Sequence, residues 1–188
     1  VVSTYLVACG VGVVGLMDND VVSLSNLQRQ VLYREDEVDV NKCFLAKRTL
    51  LRLNSNVKIV SYECFLTKDN ANEIIKDYDL VIDCLDNYKA RYVLNDSCVK
   101  LKKPFIYGSI GDRKGQLAVF NYGKKPANYR NLFPNEEELV KKGNTNKGVL
   151  GILPSIIGSM QVNEAIKIIT KQEVTLKDTL FMIDLQNN

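Results

Sequence analysis

An α/β, Rossmann-like, doubly wound fold on a mainly parallel sheet is predicted by two features of the sequence. Short, continuously apolar runs alternate with helical patterns over most of the chain, and the first such run ends in a carboxylate. Val1 to Ala8 reads as the latter part of a helix that stops at Gly10, and Val13 to Met17 as a buried parallel strand. Further strand-like runs lie at Val57 to Tyr62, Leu80 to Asp83, Phe105 to Tyr107 and Gln116 to Asn121. Helical patterns occupy Asn41 to Asn54, Asn70 to Asp77 and Ala90 to Lys102, and a helix from about Pro154 to Thr170 and a strand at Leu180 to Asp184 close the alternation. Residues 123 to 147 differ in texture, with many Asn and Lys and the acidic triplet Glu136-Glu137-Glu138, so they read as a long excursion within a single domain spanning 1 to 188. A first strand and a glycine-rich phosphate turn normally open such a unit. Gly10 and Gly12 follow the helix instead of starting it, so the fold is expected to lack both elements in this sequence, and they are expected ahead of Val1.

Composition narrows the function. The 188 residues are 46% hydrophobic and 25% charged, which suits one domain with a substantial core. Twenty-five basic and 22 acidic residues are spread along the length for a net charge of +3, without a run longer than short pairs, which argues against binding nucleic acid by bulk charge. No apolar stretch approaches the roughly 20 residues of a membrane helix, so a soluble, cytoplasmic protein is expected. The five cysteines are never closer than fourteen residues apart, which excludes a CxxC knuckle and argues against a disulfide framework. There is no histidine, so chemistry must run on carboxylates, Lys, Arg, thiols or a bound cofactor.

Asp18 ends the first apolar run, at the sheet edge where ligands sit in doubly wound folds, and a carboxylate there accepts hydrogen bonds from ribose hydroxyls. Taken alone it could equally serve as a turn or a cap. Next come Ser25-Asn26-Leu27-Gln28-Arg29-Gln30 and, twelve residues on, Asn41-Lys42. This adds small polar groups and two cations to a ribose acceptor. Attack on the α-phosphorus of a triphosphate needs its charge neutralised and the pyrophosphate steadied. Arg29 supplies a planar fork for phosphate oxygens and Lys42 a point charge. Asp83-Cys84-Leu85-Asp86-Asn87 follows the strand ending at Ile82 and places Asp86 at the equivalent sheet end, where it suits a magnesium ligand or, alternatively, a cap for the helix beginning near Lys89.

Asp18-Asn19-Asp20, Ser25 to Gln30, Lys42 and Asp83 to Asn87 together resemble the ThiF/MoeB superfamily, which includes the ubiquitin-activating enzymes. The likeness extends to Gly10-Val11-Gly12, Gly115-Gln116-Leu117, Asn128 to Pro134, Gly148 to Gly151, Gln161 and Glu164 to Lys167, and so covers nearly the whole chain. It implies an adenylyltransferase, a homodimer or pseudo-dimer, that uses ATP and Mg2+ to adenylate the C-terminal glycine of a ubiquitin-like or sulfur-carrier protein. By position, Asp18 would bind ribose, and Ser25, Asn26, Leu27, Gln28 and Arg29 would line the nucleotide with Asn26 and Arg29 near the phosphates. Lys42 would contact phosphate, and Asp86 would hold magnesium beside Asn87. Arg29, Lys42 and Asp86 would then be the catalytic set. Many relatives bind a structural zinc through two CxxC pairs. Here the first pair's positions are Asn128 and Asn131 and no later CxxC exists, so no zinc is expected. Some relatives place a reactive cysteine shortly before the Gly148 block, where this sequence reads Gly143-Asn144-Thr145-Asn146-Lys147. The alternatives are a non-catalytic scaffold subunit of a heterodimeric activating enzyme, or an adenylating relative acting on a peptide or a transfer-RNA nucleoside. A nicotinamide dehydrogenase shares only Asp18 and the sheet.

Overall fold

The computed structural model describes residues 1–143 and 148–187. They form two compact units, Val1–Phe65 and Leu66–Asn188. The first runs α1 (Val2–Ala8), β1 (Val13–Met17), α2 (Lys42–Leu53) and β2 (Lys58–Tyr62), with short 3-10 turns at Leu24–Asn26 and Glu35–Glu37 between β1 and α2. Gly10 stops α1: at φ +77° it lets its own N–H reach the Val7 carbonyl and the Val11 N–H reach the Leu6 carbonyl, which closes the helix end. β1 and β2 pair in parallel, with Val13 opposite Lys58 and Met17 opposite Tyr62. Parallel neighbours need a crossover, and α2 provides it. Asn41 caps α2 by accepting the Phe44 N–H at 3.0 Å. Cys43, Ala46 and Leu50, spaced to share one face, are buried together with Val7, Val14 and Ile59.

The second unit contains α3 (Ala71–Ile75), β3 (Val81–Ile82), α4 (Tyr88–Leu101), β4 (Phe105–Gly111), β5 (Lys114–Phe120), α5 (Tyr129–Leu132), α6 (Glu136–Lys142), α7 (Ile152–Ile169) and β6 (Phe181–Asp184). Its sheet has the order β3-β4-β5-β6. β3 and β4 are parallel and joined through α4, as a wound α/β unit requires. Beyond β4 the sheet turns antiparallel, because Asp112 and Arg113 alone connect β4 to β5 and a two-residue loop can only return the chain alongside itself. The α/β class therefore stands, and the strands divide between a parallel pair and a mixed sheet instead of one mainly parallel sheet. β4 and β5 also run well past the predicted apolar segments, through Gly108 to Gly111 and from Lys114.

α7 packs on β4 and β5. A Cβ at Gly108 would overlap the Gln161 carboxamide, so glycine there is a requirement of close helix-strand approach. The core of this unit is aromatic: Tyr129 lies 5.1 Å from Tyr92 edge-on, 5.5 Å from Tyr107 and 4.8 Å from Phe133. Tyr129 is fully buried, so the stretch read as an excursion supplies part of the core. Its N–H is satisfied by the Asn95 side chain at 2.8 Å. No described helix is long and apolar enough to cross a membrane.

Candidate functional site

In the first unit, Asp18 and Lys42, predicted for ribose and phosphate, come together where β1 ends. Asp18 follows β1, and its Oδ1 accepts the Asp20 N–H at 2.9 Å, turning the chain sharply out of the strand. A bridge between Val21 and Asn41 then brings the start of α2 alongside, and the Lys42 N–H donates to the Asp20 carbonyl at 3.0 Å. The Lys42 ammonium consequently sits 3.2 Å from Asp20 and 3.9 Å from Asp18, with the lysine side chain only 6% exposed while Asp20 is 60% and Asp18 40% exposed. Asp20 is the residue the sequence reading missed. Its partner lies 22 residues away in sequence, and the Val21–Asn41 bridge with the adjoining Lys42 N–H bond brings the two together. The Tyr33 hydroxyl donates to the Lys42 carbonyl at 3.3 Å, which ties the first turn of α2 down.

Leu24–Asn26 forms a 3-10 turn, with the Ser23 and Ser25 hydroxyls 3.0 Å apart. The Arg29 guanidinium donates to the Ser25 carbonyl at 3.2 Å, and the Arg29 N–H to the Asn26 carbonyl at 3.0 Å. Ser25 and Gln28 are exposed, and Asn26, Leu27 and Arg29 half-buried, so the turn presents its polar groups at the surface.

On α2, whose Cys43 thiol reaches the Leu16 and Tyr62 carbonyls at 3.5 and 3.7 Å, burial and then the nearby Asp18 carboxylate push that thiol up to about 11. The unfolded thiol ionises near 9.0, so folding is favoured by the neutral thiol below that pH and loses this contribution as pH rises toward about 11. The melting temperature should fall across that interval. Cys43→Ala should melt lower at neutral pH, because packing is lost, but decline less steeply between pH 9 and 11 in the same calorimetric series.

In the second unit, Asp86 and Asn87 lie between β3 and α4. Asn87, not Asp86, caps α4: its Oδ1 accepts the Ala90 N–H at 2.8 Å, and its amide reaches Asp86 Oδ1 at 3.4 Å. Asp86 is exposed. Asp83, the residue immediately after β3, is instead buried and paired with Arg91 at 2.6 Å. Burial pushes the Asp83 carboxyl up, and Arg91 opposes that shift. Among the described residues there is no group of three or more His, Cys, Asp or Glu able to hold a metal. A single exposed carboxylate at Asp86 still suits magnesium arriving with phosphate oxygens and water, since that ion needs few protein ligands.

At the positions compared with zinc ligands, Asn128 Oδ1 accepts the Arg130 N–H at 2.9 Å and Asn131 Oδ1 accepts the Asn128 N–H at 2.8 Å, so both serve the start of α5. The segment read for a reactive cysteine, Asn144 to Lys147, lies outside the described residues.

The ThiF family pattern matches residues 1–188. The chain belongs to the ThiF family. A probable molybdopterin-synthase adenylyltransferase of Porphyra purpurea is 44% identical over 167 residues, covering 88% of this chain and 44% of that protein. The adenylyltransferase and sulfurtransferase MOCS3 of Xenopus laevis is 42% identical, covering 97% of this chain and 41% of its own length. This ThiF-family chain thus spans less than half the length of these curated relatives. Among solved structures, E. coli MccB with ATP superposes with a TM-score of 0.86 at 22% identity, covering 99% of this chain and 57% of that one. A likeness at that identity supports the ThiF-family fold.

Proposed function

We propose that this ThiF-family chain carries the ATP-dependent adenylation of the C-terminal glycine of a small sulfur-carrier or ubiquitin-like protein, with release of pyrophosphate. The observation that carries the reading is the Lys42 ammonium, buried at the end of β1 and held by Asp18 and Asp20. An ordinary surface lysine is neither buried nor doubly paired, whereas a cation that must meet a polyphosphate is best fixed and desolvated in advance. The Porphyra and Xenopus relatives, each named an adenylyltransferase, support the adenylyl-transfer part of this reading.

In this account Asp18 accepts from the ribose hydroxyls, and Ser25, Asn26, Leu27 and Gln28 line the nucleotide. A carboxylate oxygen of the carrier attacks the α-phosphorus, the bond to the bridging oxygen breaks, and the electron pair leaves with pyrophosphate. Arg29 and Lys42 neutralise the charge that builds on the phosphate oxygens, so positioning and electrostatics supply the rate without a protein nucleophile. Magnesium, held by Asp86 with Asn87 beside it, would screen the phosphate charge when bound. The acting form is a homodimer or pseudo-dimer.

Replacing Asp86 tests the reading. D86A should lower ATP-pyrophosphate exchange by about 100-fold, in keeping with the loss of one preorganised charge-stabilising group. Exchange at the wild-type rate would remove Asp86 from the site.

A further inference from the structure

We infer that Arg91 is a positioning residue for the loop that carries Asp86, acting through the backbone of Leu85. The inference rests on the role proposed for Asp86. Leu85, the residue before Asp86, has both backbone polar groups engaged: its N–H donates to Asp83 Oδ1 at 2.8 Å, and its carbonyl accepts from Arg91 Nη2 at 2.7 Å. Arg91 Nε donates to Asp83 Oδ2 at 2.6 Å, so the three residues form a closed ring of hydrogen bonds on which the loop is seated.

The ring is anchored in the interior. The Asp83 side chain is 0% and the Arg91 side chain 4% exposed. The guanidinium lies 5.3 Å from the Tyr107 ring centroid and 6.0 Å from that of Tyr129, and Nη2 also reaches the Gly108 carbonyl at 3.4 Å. From the other side, Gln161 Nε2 donates to the Asp83 carbonyl at 2.7 Å, which ties the end of β3 to α7.

A buried ion pair contributes little net stability, because desolvation offsets the attraction. What this pair adds is a fixed path for the loop. The bidentate reach to Asp83 and Leu85 needs the guanidinium fork, which a lysine cannot reproduce while keeping the charge. Partners that orient a ligating carboxylate typically change metal affinity by 10- to 100-fold when altered.

The test is R91K, with D86N as reference, measured by calorimetric titration of the protein with ATP in excess magnesium and with ATP in EDTA. R91K should weaken binding of magnesium ATP by about 10- to 100-fold and leave metal-free ATP binding unweakened, and D86N is expected to do the same. Unchanged affinity in both conditions, or an equal loss in both, would overturn the inference. Wild-type protein that binds ATP equally with and without magnesium would overturn the Asp86 role itself, a result distinct from either. A measurement on the wild-type protein is independent of how R91K folds: the Leu85 amide should exchange with deuterium far more slowly than an exposed loop amide. Exchange at the loop rate would overturn the ring.

Discussion

Lys42→Met is expected to lower ATP-pyrophosphate exchange by about 10²- to 10³-fold, the loss seen when one preorganised charge-stabilising group is removed from a reacting centre. Methionine keeps the buried stem and deletes only the ammonium that sits 3.2 Å from Asp20 and 3.9 Å from Asp18. Both carboxylates are substantially exposed, so water can screen them once the cation is gone, and urea denaturation should show a change of about 1 kcal/mol or less. Lys42→Arg should not restore the rate, because a guanidinium is wider than the space around a side chain 6% exposed. Full exchange by K42M would show that Lys42 is a structural cation and no more.

Arg91→Met should have the largest effect on stability, about 3 to 5 kcal/mol at neutral pH, because it strands Asp83 in the interior without its partner. Burial already raises the Asp83 carboxyl, and without Arg91 its strongest electrostatic opponent is lost. The sign of the pH dependence follows. A carboxyl whose folded pKa is raised favours folding below its unfolded value and loses that contribution as pH rises through the folded value. The deficit of R91M relative to wild type should therefore shrink as pH is lowered toward 4, which urea melts at several pH values would measure. A deficit independent of pH would place the cost in lost packing on Tyr107 and Tyr129.

Much of the wound portion was legible because its signals are local. Val13 to Met17 is a continuous apolar run and forms β1 with those bounds. Asn41 precedes the apolar face of α2 and caps it. Asp18 and Lys42, predicted for one site, do come together in the first unit. What escaped is governed by distant partners. Gly108, Ser109, Gly111 and Gly115 dilute the strand signal of β4 and β5, yet Gly108 and Gly115 are small because Gln161 and Ile157 of α7 press on them.

Tyr129 stands in a polar, Asn-rich stretch, and its burial depends on Asn95, 34 residues earlier, satisfying its N–H. Arg91 looks like any helix cation until Asp83 is found beneath it. Asp20 is one of two carboxylates in Asp18-Asn19-Asp20, and nothing local says that it pairs with Lys42.

The central claim is activation of a carrier carboxylate by ATP, and the most direct measurement is exchange of labelled pyrophosphate into ATP against a panel of small carrier proteins ending in Gly-Gly. The account predicts exchange that requires both magnesium ATP and a carrier with a free C-terminal carboxylate, and that disappears when that carboxylate is amidated. Absence of exchange with every carrier, or exchange indifferent to the state of the carrier's C-terminus, would contradict it.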